Sequence, residues 1–134
     1  MNKSQRRQIE REFYNYKNNK QMAAEYVASH ALDGFAVDYS RDRVQTSQKN
    51  GIESKVLAAI SKEEAAWKWA LVFEKTLERF LWTNKDELIR LRYIKKMGRF
   101  SICNRIGIAN STYTYWMEEI AQVAYLWAKE YKLF

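Results

Sequence analysis

Proline is absent from this sequence, and only four of its 134 residues are glycine. Proline breaks helices and glycine weakens them, so their scarcity favours helix. A β-rich domain would need more of these turn-forming residues. The hydrophobic share of 47% is enough for a packed core at the size of one domain. The sequence therefore predicts an all-α protein.

Cysteine and histidine are nearly absent as well, and each occurs once. Zinc sites need several such ligands at set spacings, and nothing near His30 resembles a nucleophile motif. Since no two glycines have the spacing of a phosphate-binding loop, we expect no cofactor, no metal and no enzymatic activity. The lone Cys103, a polar start without a signal-peptide pattern and the lack of a long apolar run predict a cytoplasmic protein without membrane contact.

Charge is plentiful and unevenly placed. The formal net charge is +7, which suggests a polyanionic partner. The excess of lysine and arginine lies in two patches, residues 1–20 and residues 83–108. On the first helix we interpret the basic face at Arg6, Arg7 and Arg11 as solvated helix surface.

The N-terminal region, 1–82, is expected to form a helical hairpin. Apolar residues at helical spacing predict a helix from Ser4 to Ala31, with a break at Asn18–Asn19, and a polar loop near 33–51. A long amphipathic helix follows from Ile52 to Trp82 and would pack on the first helix, unless its apolar face serves self-association. Its aromatic stripe is expected in the core and comprises Trp67, Trp69, Phe73, Phe80 and Trp82.

The C-terminal region, 83–134, carries the informative pattern. Thr83–Asn84 are candidate caps of a helix that should end near Met97–Gly98. A short supporting helix follows, whose inner face we assign to Phe100, Ile102, Cys103 and Ile106. Gly107 tolerates a left-handed turn, and Ile108 would plug that turn into the core. The last helix opens with small polar residues and has apolar anchors at Tyr113, Trp116, Met117, Ile120 and Ala124. This order predicts a helix-turn-helix.

Two sets of residues would then contact double-stranded DNA. Asparagine, serine and threonine can bond base edges, and the side chains expected in the major groove are Asn110, Ser111, Thr112, Thr114, Tyr115 and Glu118. Flanking cations would hold phosphates, and these are Lys95, Lys96, Arg99 and Arg105. The reading helix itself, from Asn110 to Tyr125, contains no lysine or arginine and carries Glu118 and Glu119.

Two stretches carry a family resemblance, Leu88 to Tyr93 and the run from Ile102 to Trp116. They resemble region 4 of bacterial sigma factors, although Cys103 to Ile106 and Ala109 depart from the usual acid-isoleucine-alanine and serine. The whole layout resembles phage and prophage regulators of the RinA and ArpU type. That resemblance implies activation of late phage genes, with promoter DNA and host RNA polymerase as partners.

Two other functions fit the same pattern. The long central helix and its tryptophans are compatible with a small terminase subunit, which would form a homo-oligomeric ring. The acidic pair Glu118–Glu119 and the missing arginines are compatible with a module that binds RNA polymerase and touches DNA little.

Overall fold

Helix is the only regular secondary structure in the described residues. The computed structural model describes residues 1–29 and 51–134, with side chains described in 1–29 and 62–134. Its helices are α1 (Lys3–Tyr14), α2 (16–29, as far as described), α3 (Gly51–Arg79), α4 (Asn84–Ile89), α5 (Arg99–Ile106) and α6 (Asn110–Glu130). The predicted all-α class is confirmed. No helix in the described ranges is long and apolar enough to span a membrane.

The first predicted helix is two helices, and its break lies earlier than expected. The break falls at Asn15, and Asn19 is buried within α2. The side-chain nitrogen of Asn19, Nδ2, donates to the Glu12 backbone carbonyl oxygen at 3.3 Å and to the Glu12 carboxylate at 3.0 Å. Asn19 therefore stabilises the junction instead of interrupting a helix. Residues 30 and 31 lie outside the described residues, as does the expected loop except for Gly51, which is helical.

The long central helix ends three residues before the predicted boundary. α3 stops at Arg79, and Trp82 follows in a left-handed turn with φ 67°. Trp82 is 96% exposed, so its expected place in the core was wrong. Trp69, Phe73 and Phe80 are buried as predicted. Helical spacing would place Trp82 with the other aromatic residues on the buried face of α3. Because α3 ends at Arg79, Trp82 is not part of the helix and its side chain is exposed.

The helix after Thr83 is supported differently from the prediction. The Thr83 hydroxyl donates to the Phe80 carbonyl oxygen at 2.6 Å and does not cap α4. α4 then widens into a π-helical turn over Arg90–Ile94, which contains the buried residues Leu91 and Tyr93.

The stop of this helix also differs from the expected Met97–Gly98. The chain leaves the helix at Lys96, a non-glycine residue with φ 55°. Gly98 has an extended backbone, with φ −76°, and is the residue before α5. Glycine here begins the next helix and does not end the previous one.

The core is one hydrophobic cluster with contributions from α1, α3, the π-helical turn and α6. Phe13 lies at its centre and meets Phe73 and Tyr93 edge-on, with ring centroids 5.0 and 5.3 Å away. Each such aromatic pair stabilises the fold by about 0.5–1.5 kcal/mol. Small residues on α6, Ala124 and Ala128, are fully buried, which lets the helix backbones approach closely.

Candidate nucleic-acid interface

The turn between α5 and α6 is built around one carbonyl group. Gly107 adopts the left-handed conformation expected from the sequence, with φ 80° and ψ 42°. Its amide and that of Ile108 both donate to the Cys103 carbonyl oxygen, at 2.8 and 3.0 Å. Ile108 is half-buried and packs against the core, as predicted. The turn thus fixes the direction in which α6 leaves α5.

One residue of the predicted inner face of α5 points the other way. Ile102 and Cys103 are buried and Ile106 packs against the core, but Phe100 is 74% exposed. Successive residues of an α-helix are about 100° apart, so Phe100 lies about 200° from Ile102. The assignment of Phe100 to the inner face was therefore wrong.

α6 begins with an exposed polar turn. Asn110 and Ser111 are exposed, Thr112 is half-buried, and Ala109 before them has no side-chain oxygen to cap the helix. The predicted anchors lie on the opposite side, since Tyr113, Met117, Ile120 and Ala124 are buried and Trp116 packs against the core. Tyr115, between these anchors, is 71% exposed.

Arg99, predicted as a flanking cation, makes contacts with α6 that the sequence did not predict. The prediction put it on the flank, but its Nη2 donates to the Asn110 carbonyl oxygen at 2.9 Å and to the Thr114 hydroxyl. Its guanidinium lies over the Tyr113 ring, 5.0 Å from the centroid. The first residue of α5 therefore supplies an arginine to the outer face of α6, which has none in its own first turns.

A signal for this placement exists in the sequence. Around the Gly107 turn the two helices pair in antiparallel order, because Cys103 meets Asn110 and Arg99 meets Thr114. Moving four residues back from Cys103 and four forward from Asn110 gives the second pair. The Gly107 turn therefore points to Arg99 once the antiparallel pairing of the two helices is known.

Two predicted base-reading side chains are partly committed within the protein. The Cys103 thiol donates to the Asn110 side-chain oxygen, Sγ to Oδ1 3.7 Å. The Thr114 hydroxyl accepts from Arg99 and donates to the Asn110 carbonyl oxygen at 3.1 Å. The Ser111 and Thr112 hydroxyls have no hydrogen-bond partner in the described part of the chain. These two hydroxyls, the side-chain nitrogen of Asn110 and the Tyr115 side chain remain open to a ligand.

The acidic pair of α6 is matched by cations from other helices. The Glu118 carboxylate lies 3.6 Å from the Arg6 guanidinium of α1. The Glu119 carboxylate lies 2.7 Å from Lys85 Nζ on α4. Both carboxylates are partly exposed, so these pairs add little stability. They do offset the negative charge that the sequence places on α6.

The remaining predicted phosphate ligands lie on either side of α5. Lys95 and Lys96 are exposed in the turn before it, and Arg105 is exposed in its last turn. Among the described residues none of the three has an ion-pair partner. Their charge is therefore available to an anion from solution.

A cluster of charged and aromatic side chains surrounds Arg92. Arg92 Nη2 donates to the Glu10 carboxylate of α1 at 3.1 Å, and its guanidinium lies 5.1 Å from the centroid of the Tyr14 ring. Burial raises the pKa of the Tyr113 hydroxyl, and the positive charge of Arg92 opposes that shift. Burial also raises the pKa of Tyr93 well above its ordinary value of 10.0. The cluster ties α1 to the π-helical turn that contains Arg92.

Comparison with known proteins gives no match to a family model, a curated protein or a solved structure. Within the described ranges, no group of histidine, cysteine, aspartate and glutamate residues could hold a metal ion.

Proposed function

We propose that this protein is a phage-type transcriptional regulator that binds double-stranded DNA with sequence preference. In this proposal α5, the Gly107 turn and α6 form a helix-turn-helix of the sigma region 4 type, and α6 enters the major groove. The observation that carries it is the surface around the first two turns of α6. Neutral polar side chains and the Arg99 guanidinium lie there together, and the flanking Lys95, Lys96 and Arg105 have no ion-pair partner in the part of the chain that the structure describes. Such a surface combines base readout with phosphate binding.

Base readout is assigned to the groups that the protein leaves open. The Asn110 amide and the hydroxyls of Ser111 and Thr112 can bond base edges, and the Tyr115 ring can contact a thymine methyl. Arg99 uses Nη2 within the protein and keeps Nε and Nη1 for DNA. We therefore assign Arg99 to the groove, with Thr114 as the group that positions it.

Phosphate binding is assigned to Lys95, Lys96 and Arg105. These cations lie outside the readout face, and contacts of this kind fix register and affinity without selecting a sequence. The positive end of the α6 dipole points to the same side and favours an anion there.

The regulatory role follows from the resemblance alone. Likeness to sigma region 4 and to regulators of the RinA and ArpU type favours activation of late phage genes, with 83–134 on promoter DNA and host RNA polymerase nearby. An activator restores transcription from its selected site in a reconstituted reaction, whereas a repressor lowers it.

Selection of bound duplexes from random DNA tests the proposal directly. We expect a defined consensus, and binding whose logarithm falls linearly with the logarithm of salt concentration. The triple variant Lys95→Gln, Lys96→Gln and Arg105→Gln should reduce that slope by roughly 2.7, about 0.9 for each contact. It should leave the consensus unchanged.

A charge-matched control separates local contacts from net charge. Lys62, Lys129 and Lys132 are exposed and lie towards the other end of the molecule, since Lys129 is 19 residues, or about 28 Å, along α6 from Asn110. Their replacement by glutamine should change the slope much less. Failure to enrich any sequence at low salt would disprove the proposal.

The two other functions make different predictions. A terminase-like ring would scatter light as a large oligomer, so a monomer or dimer in solution argues against it. The polymerase-binding alternative drew on Glu118 and Glu119, but each of these is paired with a cation of another helix. That pairing favours the DNA-binding proposal.

A further inference from the structure

α1 carries a row of cations on the side opposite its buried face. Ile9 and Phe13 are buried, while Lys3, Arg7 and Arg11 are exposed at four-residue spacing. Four residues advance a helix by about 6 Å, so the row extends over about 12 Å. The row has regular spacing along one helix face.

The fold places this helix directly beside the proposed reading helix. Arg6 of α1 pairs with Glu118, which is one further four-residue step along the α6 face that begins with Asn110 and Thr114. Ile9 lies in a cleft with Met117 and Ile120. α1 therefore packs against α6 within about one helical turn of Thr114, on the surface assigned to DNA.

The inward and outward cations of α1 have different environments. Arg6 faces α6 and is paired, whereas Lys3 and Arg7 have no ion-pair partner among the described residues. Arg11 has only the adjacent Glu12, at 4.0 Å, and its side chain is 73% exposed. Two other acids close to this helix are occupied, since Glu10 pairs with Arg92 and Glu118 with Arg6. The outward row thus keeps its positive charge.

We propose that α1 is a second DNA-contacting element, in which Lys3, Arg7 and Arg11 bind backbone phosphates beside the groove occupied by α6. The inference rests on the proposed function, because it extends that interface by one helix. Duplex DNA presents about one negative charge every 1.7 Å along its axis, so a row of cations about 12 Å long can engage several phosphates at once. These contacts add affinity and length to the bound site but no sequence preference.

The test compares two triple variants with the same net charge. Lys3→Gln, Arg7→Gln and Arg11→Gln removes the row, and Lys62→Gln, Lys129→Gln and Lys132→Gln is the control. On the selected duplex we expect the salt slope of the α1 variant to fall by roughly 2.7, about 0.9 for each contact. The control should change much less. The α1 variant should also protect a shorter stretch of DNA on one side, with the consensus unaltered.

A shortened duplex adds an independent check. Removing the flank that α1 protects should weaken binding by the wild-type chain and leave the α1 variant unaffected. Thermal melting followed by circular dichroism is the control that checks whether both variants fold.

The outcomes separate the two proposals. If wild type selects a consensus and the two triple variants have equal slopes and footprints, α1 does not contact DNA and the helix-turn-helix proposal stands. If the folded α1 variant loses the consensus, the phosphate-contact role is wrong. If wild type enriches no sequence, both proposals fail.

Discussion

The two halves of α6 have opposite environments although they belong to one continuous helix. In the first two turns only Tyr113 is buried, and the polar side chains are exposed except for that of Thr112, which is half-buried. Beyond them Met117, Ile120 and Ala124 are buried against α1 and α3. The difference teaches that one helix can separate the residues that stabilise the fold from those that it exposes to solvent. The second half anchors the helix, and the first half is free to meet a ligand.

The largest expected effect is in the anchored half. Ile120 is 1% exposed, so Ile120→Ala removes buried apolar volume and leaves a cavity. We expect a loss of about 2–5 kcal/mol in the free energy of unfolding, measured by urea denaturation. Leu126→Ala on the same helix is the control, because Leu126 is 65% exposed and should change little. Similar losses for both would contradict the burial of Ile120 in the core.

The turn that joins α5 to α6 should be next in size. Gly107 has φ +80° with nothing within 4 Å of an added Cβ, so Gly107→Ala introduces backbone strain without a clash. The expected cost is about 1–2 kcal/mol of unfolding free energy. Gly98→Ala is the matched control, since Gly98 has open space and a φ of −76°. A stability change at Gly98 as large as at Gly107 would mean that the left-handed turn is unimportant.

A smaller effect comes from pH. Burial raises the pKa of Tyr93, so above pH 10 the unfolded chain releases this proton while the folded chain keeps it. Stability contributed by this group is present below pH 10 and falls as the pH rises above it, by about 1.4 kcal/mol per pH unit. Tyr93→Phe should reduce the downward slope of unfolding free energy against pH by about half a proton at pH 10 and by about one proton at pH 11 and above. Equal slopes for wild type and variant would show that Tyr93 is not buried in the hydrophobic core.

The smallest change in stability is expected in the free half. Tyr115 is 71% exposed, and Tyr115→Ala should alter the free energy of unfolding by no more than about 0.5 kcal/mol. Affinity for the selected duplex should fall clearly, because the proposed interface loses an aromatic contact. Retained affinity with lowered stability would reverse the roles of the two halves.

Some parts of the candidate interface depend only on interactions between residues close together in the sequence. Local features of the sequence predicted these parts. The spacing of Tyr113, Met117 and Ile120 indicated the buried face of α6, and Gly107 indicated the left-handed turn. Helical period and glycine conformation are properties of a few neighbouring residues, so they can be read without the rest of the chain.

Helix ends were predicted less well. The exposed Trp82 and the stop at Lys96 instead of Gly98 both follow from where a helix ends. Ends depend on which groups satisfy the last carbonyls and first amides, and those partners come from the surrounding structure. The Thr83 hydroxyl shows this, since it bonds back to Phe80 instead of capping α4.

The sequence by itself determined that the chain is helical, where the α5–α6 turn lies and which side of α6 is buried. Only the tertiary structure decided that Arg99 lies over α6, that Arg6 offsets Glu118 and that α1 crosses beside them. Contacts between helices join residues far apart in the chain. Arg92 and Glu10, for example, are 82 positions apart. The helical periodicity of a sequence describes only neighbouring residues, so it does not predict contacts over such distances. The packing of the helices decides which charged side chains form ion pairs. The same packing leaves Lys3 and Arg7 of α1, and the cations of the α5 flank, without an ion-pair partner among the described residues.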